Sequence, residues 1–225
     1  MKKLLETFEA LKQKNLSIDL TRGKPHSDQL DLSNDLMTQA VDPIGENGVD
    51  LRNYGEPIGI IEARKLGADI LDSKIDLTIA GEQSSYLLMT QLLLGRFLFG
   101  IDDDPWKDDK EPAFLCAVPG FDRHFATLEG LGLKMHTVNL CSSGIDLDDL
   151  NKKLSKYQNI KGLICVPRHS NPSGEVFSDE NITNLLKITK EYNPSFINLF
   201  DHAYLIHDFD ETKPQTPIPF LADGL

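Results

Sequence analysis

The chain has 225 residues with Lys+Arg 23 against Asp+Glu 35, a formal net charge of −12, and is 40% apolar and 26% charged. That length buries an adequate core, and the composition is that of an ordinary globular α/β protein of one large or two small domains. The acidic balance excludes the basic face that duplex nucleic acid or an anionic membrane surface requires, and no apolar run reaches the length of a bilayer span.

Lys2 and Lys3 are followed by Glu6, Thr7 and Glu9, so the N-terminus has no secretory apolar region. Leu4, Leu5, Phe8 and Leu11 recur at helical spacing and predict an amphipathic helix over residues 2–14. Residues 20–25, with Gly23 and Pro25, read as loop, and residues 31–41 as a short helix stopping before Pro43. A Gly-rich stretch over 45–59 precedes a helix over 60–71 with Ala63, Leu66 and Ile70 on one face. Beyond it, short apolar runs alternate with amphipathic segments. Strands are expected at 77–80, 113–118, 133–140, 160–166 and 196–200, and helices at 83–99, 123–131, 146–154 and 178–192. Asp146 and Ser178 are N-cap residues, each with acids in the following turn. Strands alternating with such helices mean βαβ units and a doubly wound, mostly parallel sheet. The segment 102–111, with six acids and two lysines, reads as a solvated loop. Cys116, Cys141 and Cys165 form no C-x-x-C pair, and are expected as buried, reduced thiols of a cytoplasmic protein.

Ligands in open α/β sheets collect at the C-terminal ends of strands, and four loops place unusual residues there. Gly81-Glu82-Gln83-Ser84-Ser85 opens a helix, where free amides and the positive end of the dipole suit a phosphate. Pro119-Gly120-Phe121-Asp122-Arg123-His124 sets an aromatic ring beside polar groups. Arg168-His169-Ser170-Asn171-Pro172-Ser173-Gly174 is a polar loop after an apolar strand. Asp201-His202-Ala203-Tyr204 ends another, and a buried carboxylate there needs a cation or a donor.

Together these loops resemble the pyridoxal-phosphate-dependent aminotransferases of fold type I, in particular the class I, aspartate-aminotransferase-like group. The segment Arg52-Asn53-Tyr54-Gly55-Glu56-Pro57-Ile58-Gly59 with Glu62-Ala63-Arg64 is similar to that family's Tyr-Gly…Gly…Arg stretch. Pro119-x-Phe121-x-x-His124, Asn171-Pro172-Ser173-Gly174 and Asp201-x-Ala203-Tyr204 follow in the family's order. The resemblance implies the sheet of the aminotransferase large domain, ending before completion. Residues 1–75 would form the N-terminal arm and helices, 76–225 a partial cofactor-binding domain, with the C-terminal small domain absent.

It also implies a cofactor, pyridoxal 5'-phosphate, and amino-group transfer between an amino acid and a 2-oxo acid in a cytoplasmic homodimer. By the resemblance, Asp201 pairs with the pyridine nitrogen, Asn171 and Tyr204 hydrogen-bond the phenolic oxygen, and Phe121 stacks on the ring. Backbone amides at Glu82 and Gln83 and the Ser84 hydroxyl hold the phosphate, and Tyr54 reaches that of the neighbouring subunit. Gly23, and with it Arg22, lies beside the substrate carboxylate. The family's Schiff-base lysine lies a few dozen residues beyond the Asp201 position. Here 225 − 201 = 24 residues follow, and their only lysine is Lys213 in a turn-like Glu-Thr-Lys-Pro context, so no catalytic lysine is assigned. Two other readings stand beside this one. The first is a catalytically inactive cofactor-fold fragment that binds a partner. The second is a nucleotide enzyme of Rossmann type, against which the missing second and third glycines after residue 81 count.

Overall fold

The structure of the protein, a computed structural model, describes residues 2–18, 23–101 and 104–207. The chain divides into two compact units, Met1–Pro43 and Ile44–Leu225. In the first, the expected amphipathic helix is α1 (Lys2–Gln13), with no buried residue. The helix expected over 31–41 is instead α2 (Ser27–Asp31) and a 3-10 turn, Asn34–Thr38. Polar side chains between them bond locally: Asn34 Nδ2 donates to Asp31 Oδ1 at 3.1 Å and Thr38 Oγ1 to the Asp35 carbonyl at 2.9 Å. Such bonds compete with a continuous helical ladder.

The second unit opens with α3 (Ile61–Ile70). Its packed face is not the one formed by Ala63, Leu66 and Ile70, since Leu66 and Ile70 are exposed and Ala68 is buried. Gly67 explains the rotation: a Cβ there would lie 3.1 Å from Thr78 Cγ2, so the bare backbone admits the following turn. The strand expected at 77–80 does not form. Ile75–Leu77 is a 3-10 turn, and the Arg64 guanidinium takes the carbonyls of Thr78 at 2.8 Å and Ile75 at 2.6 Å. Thr78 is extended (φ −113°, ψ 126°) yet belongs to no ladder. Ser84 then caps α4 (Ser85–Phe99), its side chain accepting from the Leu87 amide. Trp106, inside the acidic segment read as a solvated loop, is only 1% exposed and packs on Phe114 with ring centroids 5.9 Å apart.

Then follow β1 (Ala113–Val118), α5 (Asp122–Gly130), β2 (Lys134–Cys141), β3 (Gly144–Ile145), α6 (Leu147–Lys156), β4 (Ile160–Cys165), α7 (Asp179–Tyr192) and β5 (Ile197–Phe200). They build the expected α/β core, a five-stranded sheet of order β3-β2-β1-β4-β5. All pairings are parallel except that of the short β3 with β2. Both faces are covered, as parallel sheets require. Leu115 and Ala117 of β1 join Val138, Leu163, Ile182 and Leu185 on one face, while Phe114 and Cys116 join Leu93, Leu128 and Ile164 on the other. Gly162 permits this: a Cβ would meet Phe114 Cζ at 2.4 Å and the Ile197 carbonyl at 2.5 Å. Asp146 and Ser178 cap α6 and α7 as the sequence indicates. Beyond β3 the sheet meets the start of α7 and the residue before its cap, Phe177. Asn181, buried on α7, accepts from the Ile145 amide at 3.0 Å and donates to the Ile145 carbonyl at 2.8 Å. No helix among the described residues is long and apolar enough to cross a membrane.

Candidate functional site

Parallel pairing brings the C-terminal ends of β1, β4 and β5 to one side of the sheet, and three of the four singled-out loops with them. Asp201 follows β5 directly. Its amide donates to the Cys165 carbonyl at 2.9 Å, which continues the β4–β5 ladder by one residue and holds the carboxylate 7% exposed. Oδ1 accepts from the Ala203 amide at 3.0 Å. Oδ2 lies 2.9 Å from Nε2 of His124, itself 4% exposed. A carboxylate can only accept, so the ring donates and Asp201 has a partner for each oxygen.

His124 is the residue that spacing alone does not identify as the partner of Asp201. It sits on α5, three residues after Phe121, whose half-buried ring meets it edge-on with centroids 5.1 Å apart at 88°. The Pro119–His124 loop thus delivers an aromatic face and a donor from one short turn. Across it, Asn171 Nδ2 donates to the Tyr204 hydroxyl at 3.2 Å, joining the β4 and β5 loops. Both Val118-Pro119 and Asn171-Pro172 are cis peptides. The Cys165 thiol faces the same region, and burial together with the Asp201 charge pushes its pKa far above the ordinary thiol range.

Next to this cluster lies a cavity of about 490 Å³. Asp201, His202 and Ala203 form one wall; Leu77, Ser85 and Leu88 are among the residues of the other. The start of α4, immediately after Ser84, therefore faces the same space as Asp201. Glu82 and Gln83 instead line an adjoining cavity of about 720 Å³ with Ile60, Ala63 and Gly67. Glu82 has a left-handed backbone (φ 54°), and Gln91 Nε2 donates to its carboxylate at 3.2 Å. Tyr54 is 96% exposed and lines neither cavity. Gly23 belongs to the first unit, while Arg22 and Lys213 fall outside the described residues. Among the described residues, no lysine lines the cavity beside Asp201.

Comparison with known proteins gives the family and the fold. The family described as Aspartate amino-transferase matches residues 1–222. An aspartate aminotransferase of Corynebacterium glutamicum is 36% identical over 214 residues, covering 92% of this chain and 49% of that protein. The crystal structure of an aspartate transaminase from the same species superposes with a TM-score of 0.84 at 33% identity, covering 98% of this chain and 54% of that one. The fold is also shared, at TM-score 0.52, 20% identity and coverage of 68% and 35%, with an α-aminoadipate aminotransferase of Thermus thermophilus solved with N-(5'-phosphopyridoxyl)-L-leucine. The chain thus spans about half the length of the relatives it matches.

Proposed function

We propose that this chain, which belongs to the aspartate aminotransferase family, supplies the cofactor-facing side of a site for amino-group transfer between an amino acid and a 2-oxo acid. Pyridoxal 5'-phosphate is the cofactor of that reading. The observation that carries it is the buried Asp201 carboxylate, paired with His124 and facing a cavity that the start of α4 also lines.

The donor set fits the group. Asp201 would hold a proton on the pyridine nitrogen, and a carboxylate in so dry a place is retained only where donors and a cation face it. His124 keeps Asp201 oriented and in its acceptor role. Asn171 and Tyr204, already hydrogen-bonded to each other, would hold the phenolic oxygen, and Phe121 would cover one ring face. The Ser84 hydroxyl keeps its proton free to donate to a phosphate while its oxygen caps α4, and the main-chain amides of Glu82 and Gln83, which line the adjoining cavity, would approach the phosphate from that side. Bound there, the pyridinium ring supplies an electron sink for breaking a bond at the amino-acid Cα. Tyr54, fully outside the site in one chain, suits a role in the neighbouring subunit of a homodimer. Gly23 and Arg22 would meet the substrate carboxylate. The buried thiols of Cys116 and Cys165 suit a reducing cytoplasm. The lysine that carries the reaction in this family is assigned to polypeptide beyond this chain, not to Lys213.

The test has two parts. The chain alone should bind pyridoxal phosphate weakly and non-covalently; borohydride reduction followed by peptide mapping should find no single labelled lysine, and stoichiometric labelling of Lys213 would refute the assignment. In a chain extended by the second half of the family sequence, Asp201→Asn should slow the half-reaction with an amino acid more than about tenfold, a barrier change above about 1.4 kcal/mol. A smaller effect removes Asp201 from its proposed role.

A further inference from the structure

We infer that a cavity at the N-terminal ends of β1, β2 and β4 binds inorganic phosphate, with Lys110 and Lys134 as its cations and Glu111 as the acceptor of its remaining proton. The cavity holds about 330 Å³ and lies at the opposite end of the parallel strands from Asp201, sharing no lining residue with the cavity there. Three segments meet around it: Lys110 and Glu111 before β1, Lys134 and His136 in β2, and residues 157–159 between α6 and β4. Main-chain groups knit them together. Asn159 Nδ2 donates to the Lys110 carbonyl at 2.7 Å, the Ala113 amide to the Asn159 carbonyl at 2.9 Å, and the Lys134 amide to the Pro112 carbonyl at 2.9 Å. The groups that line the cavity are thus set on linked backbone, and little ordering remains to be done when an ion enters.

The chain carries a net charge of −12, yet two lysines and one acid line this cavity. Lys134 Nζ lies 2.6 Å from Glu111 Oε1, and the nearby Asp109 is taken by Lys161. Lys110 makes no ion pair among the described residues. His136 stacks on Tyr157 with ring centroids 3.6 Å apart at 6°, and Lys156 Nζ lies 5.0 Å from the Tyr157 centroid. Partial burial of His136, with the charges of Lys153, Lys134 and Lys156, lowers its pKa, so at neutral pH the ring is uncharged and has one N–H to give. A small anion relieves this excess of positive charge. Ammonium groups act as point charges with freely turning donors, which suits a compact tetrahedral oxyanion. Glu111 then makes the choice among such ions. Its carboxylate repels an oxyanion without protons but accepts from an O–H, which phosphate keeps at neutral pH and sulfate lacks.

The inference is independent of the amino-transfer reading, and its test measures binding and never activity. The full chain is titrated with inorganic phosphate at about pH 7 and followed by NMR at assigned nuclei, because phosphate also suits the start of α4. The His136 ring and the Asn159 amide should shift and saturate, and the His136 pKa should rise by about one unit, equivalent to about tenfold tighter binding to the protonated ring. Sulfate should bind at least about tenfold more weakly than phosphate. Glu111→Gln, whose amide can donate, should shrink that preference to within about twofold. Lys110→Ala should weaken phosphate at least about fivefold and leave the urea midpoint unchanged. Glycerol 3-phosphate, whose second pKa of about 6 leaves it mostly without a proton, should bind more weakly than inorganic phosphate. The inference is overturned if His136 does not respond or if the response is confined to Gln83 and Ser84. Equal affinity for sulfate, tighter binding of glycerol 3-phosphate, or unchanged affinity in Lys110→Ala overturns it as well.

Discussion

His202 provides a quantitative test of how the end of β5 is built. Burial lowers the pKa of its ring from an ordinary 6.5 to about 4; the Asp201 carboxylate opposes the shift and the Arg168 cation adds to it. The unfolded chain therefore binds a proton at this residue as pH falls below 6.5, while the folded chain binds it only near 4. Stability from this site is complete above pH 6.5 and declines through the window down to about 4. At about pH 4.5 the loss is close to 2.5 kcal/mol, and the full interval corresponds to about 3 kcal/mol. Carboxylates titrate in the same range, so the parent is compared with His202→Leu, which gives up the edge-on ring contact to Phe200 (6.3 Å between centroids) for aliphatic packing and has nothing to protonate. At neutral pH the variant should be at least as stable, because two sealed nitrogens without partners are removed. Urea unfolding of both proteins at about pH 7.5 and 4.5 should show the parent losing more by a midpoint difference of roughly 1 M. Parallel losses, within about 0.5 kcal/mol, would refute the burial argument.

Other consequences are local. Ser178→Ala removes the side-chain acceptor for the Asn181 amide and should cost about 1 kcal/mol in urea unfolding, with helix content retained. Gly162→Ala forces a Cβ to within 2.4 Å of Phe114 Cζ and 2.5 Å of the Ile197 carbonyl and should lower stability by about 2–3 kcal/mol, of which Phe114→Leu should relieve only a part, because the main-chain clash remains. A thiol reagent should modify exposed Cys141 rapidly in the native protein and reach Cys116 and Cys165 only after denaturation. Burial lifts the Cys116 pKa to about 12, so raising the pH to about 9 should not expose it to attack.

What the sequence made legible is what depends on neighbours along the chain. β1 and β4 are apolar runs bounded by polar loops, and Asp146 and Ser178 announce their helices because a cap bonds amides two or three residues ahead. Residues 77–80 have the same apolar look as a strand, but a strand is defined by a second chain segment, and Arg64 holds the carbonyls where a ladder would run. Trp106 sits among acids and is nonetheless core, since one large ring outweighs its charged neighbours once Phe114 is in reach. The two-residue β3 is too short for any period to register. At the site, the motif residues were recognisable by type and order. The contact between His124 and Asp201 was not, because it spans 77 residues and exists only through the crossover topology of β1, β4 and β5. Family motifs likewise could not reveal that Glu82 and Gln83 face a different cavity from Asp201.

The carboxamide of Asn181 has a consequence for how this molecule meets others. One acceptor and one donor, set at the spacing of a peptide group, give Ile145 what a further strand would give it. Gly144 is tied to the same device, since a Cβ there would strike Asn181 Oδ1 at 2.3 Å. The sheet is thereby terminated at β3 by a side chain, and a further strand adding at that edge would find the Ile145 groups already bonded. Replacing Asn181 with leucine would strip Ile145 of both bonds, and its amide should then exchange with solvent faster than in the parent.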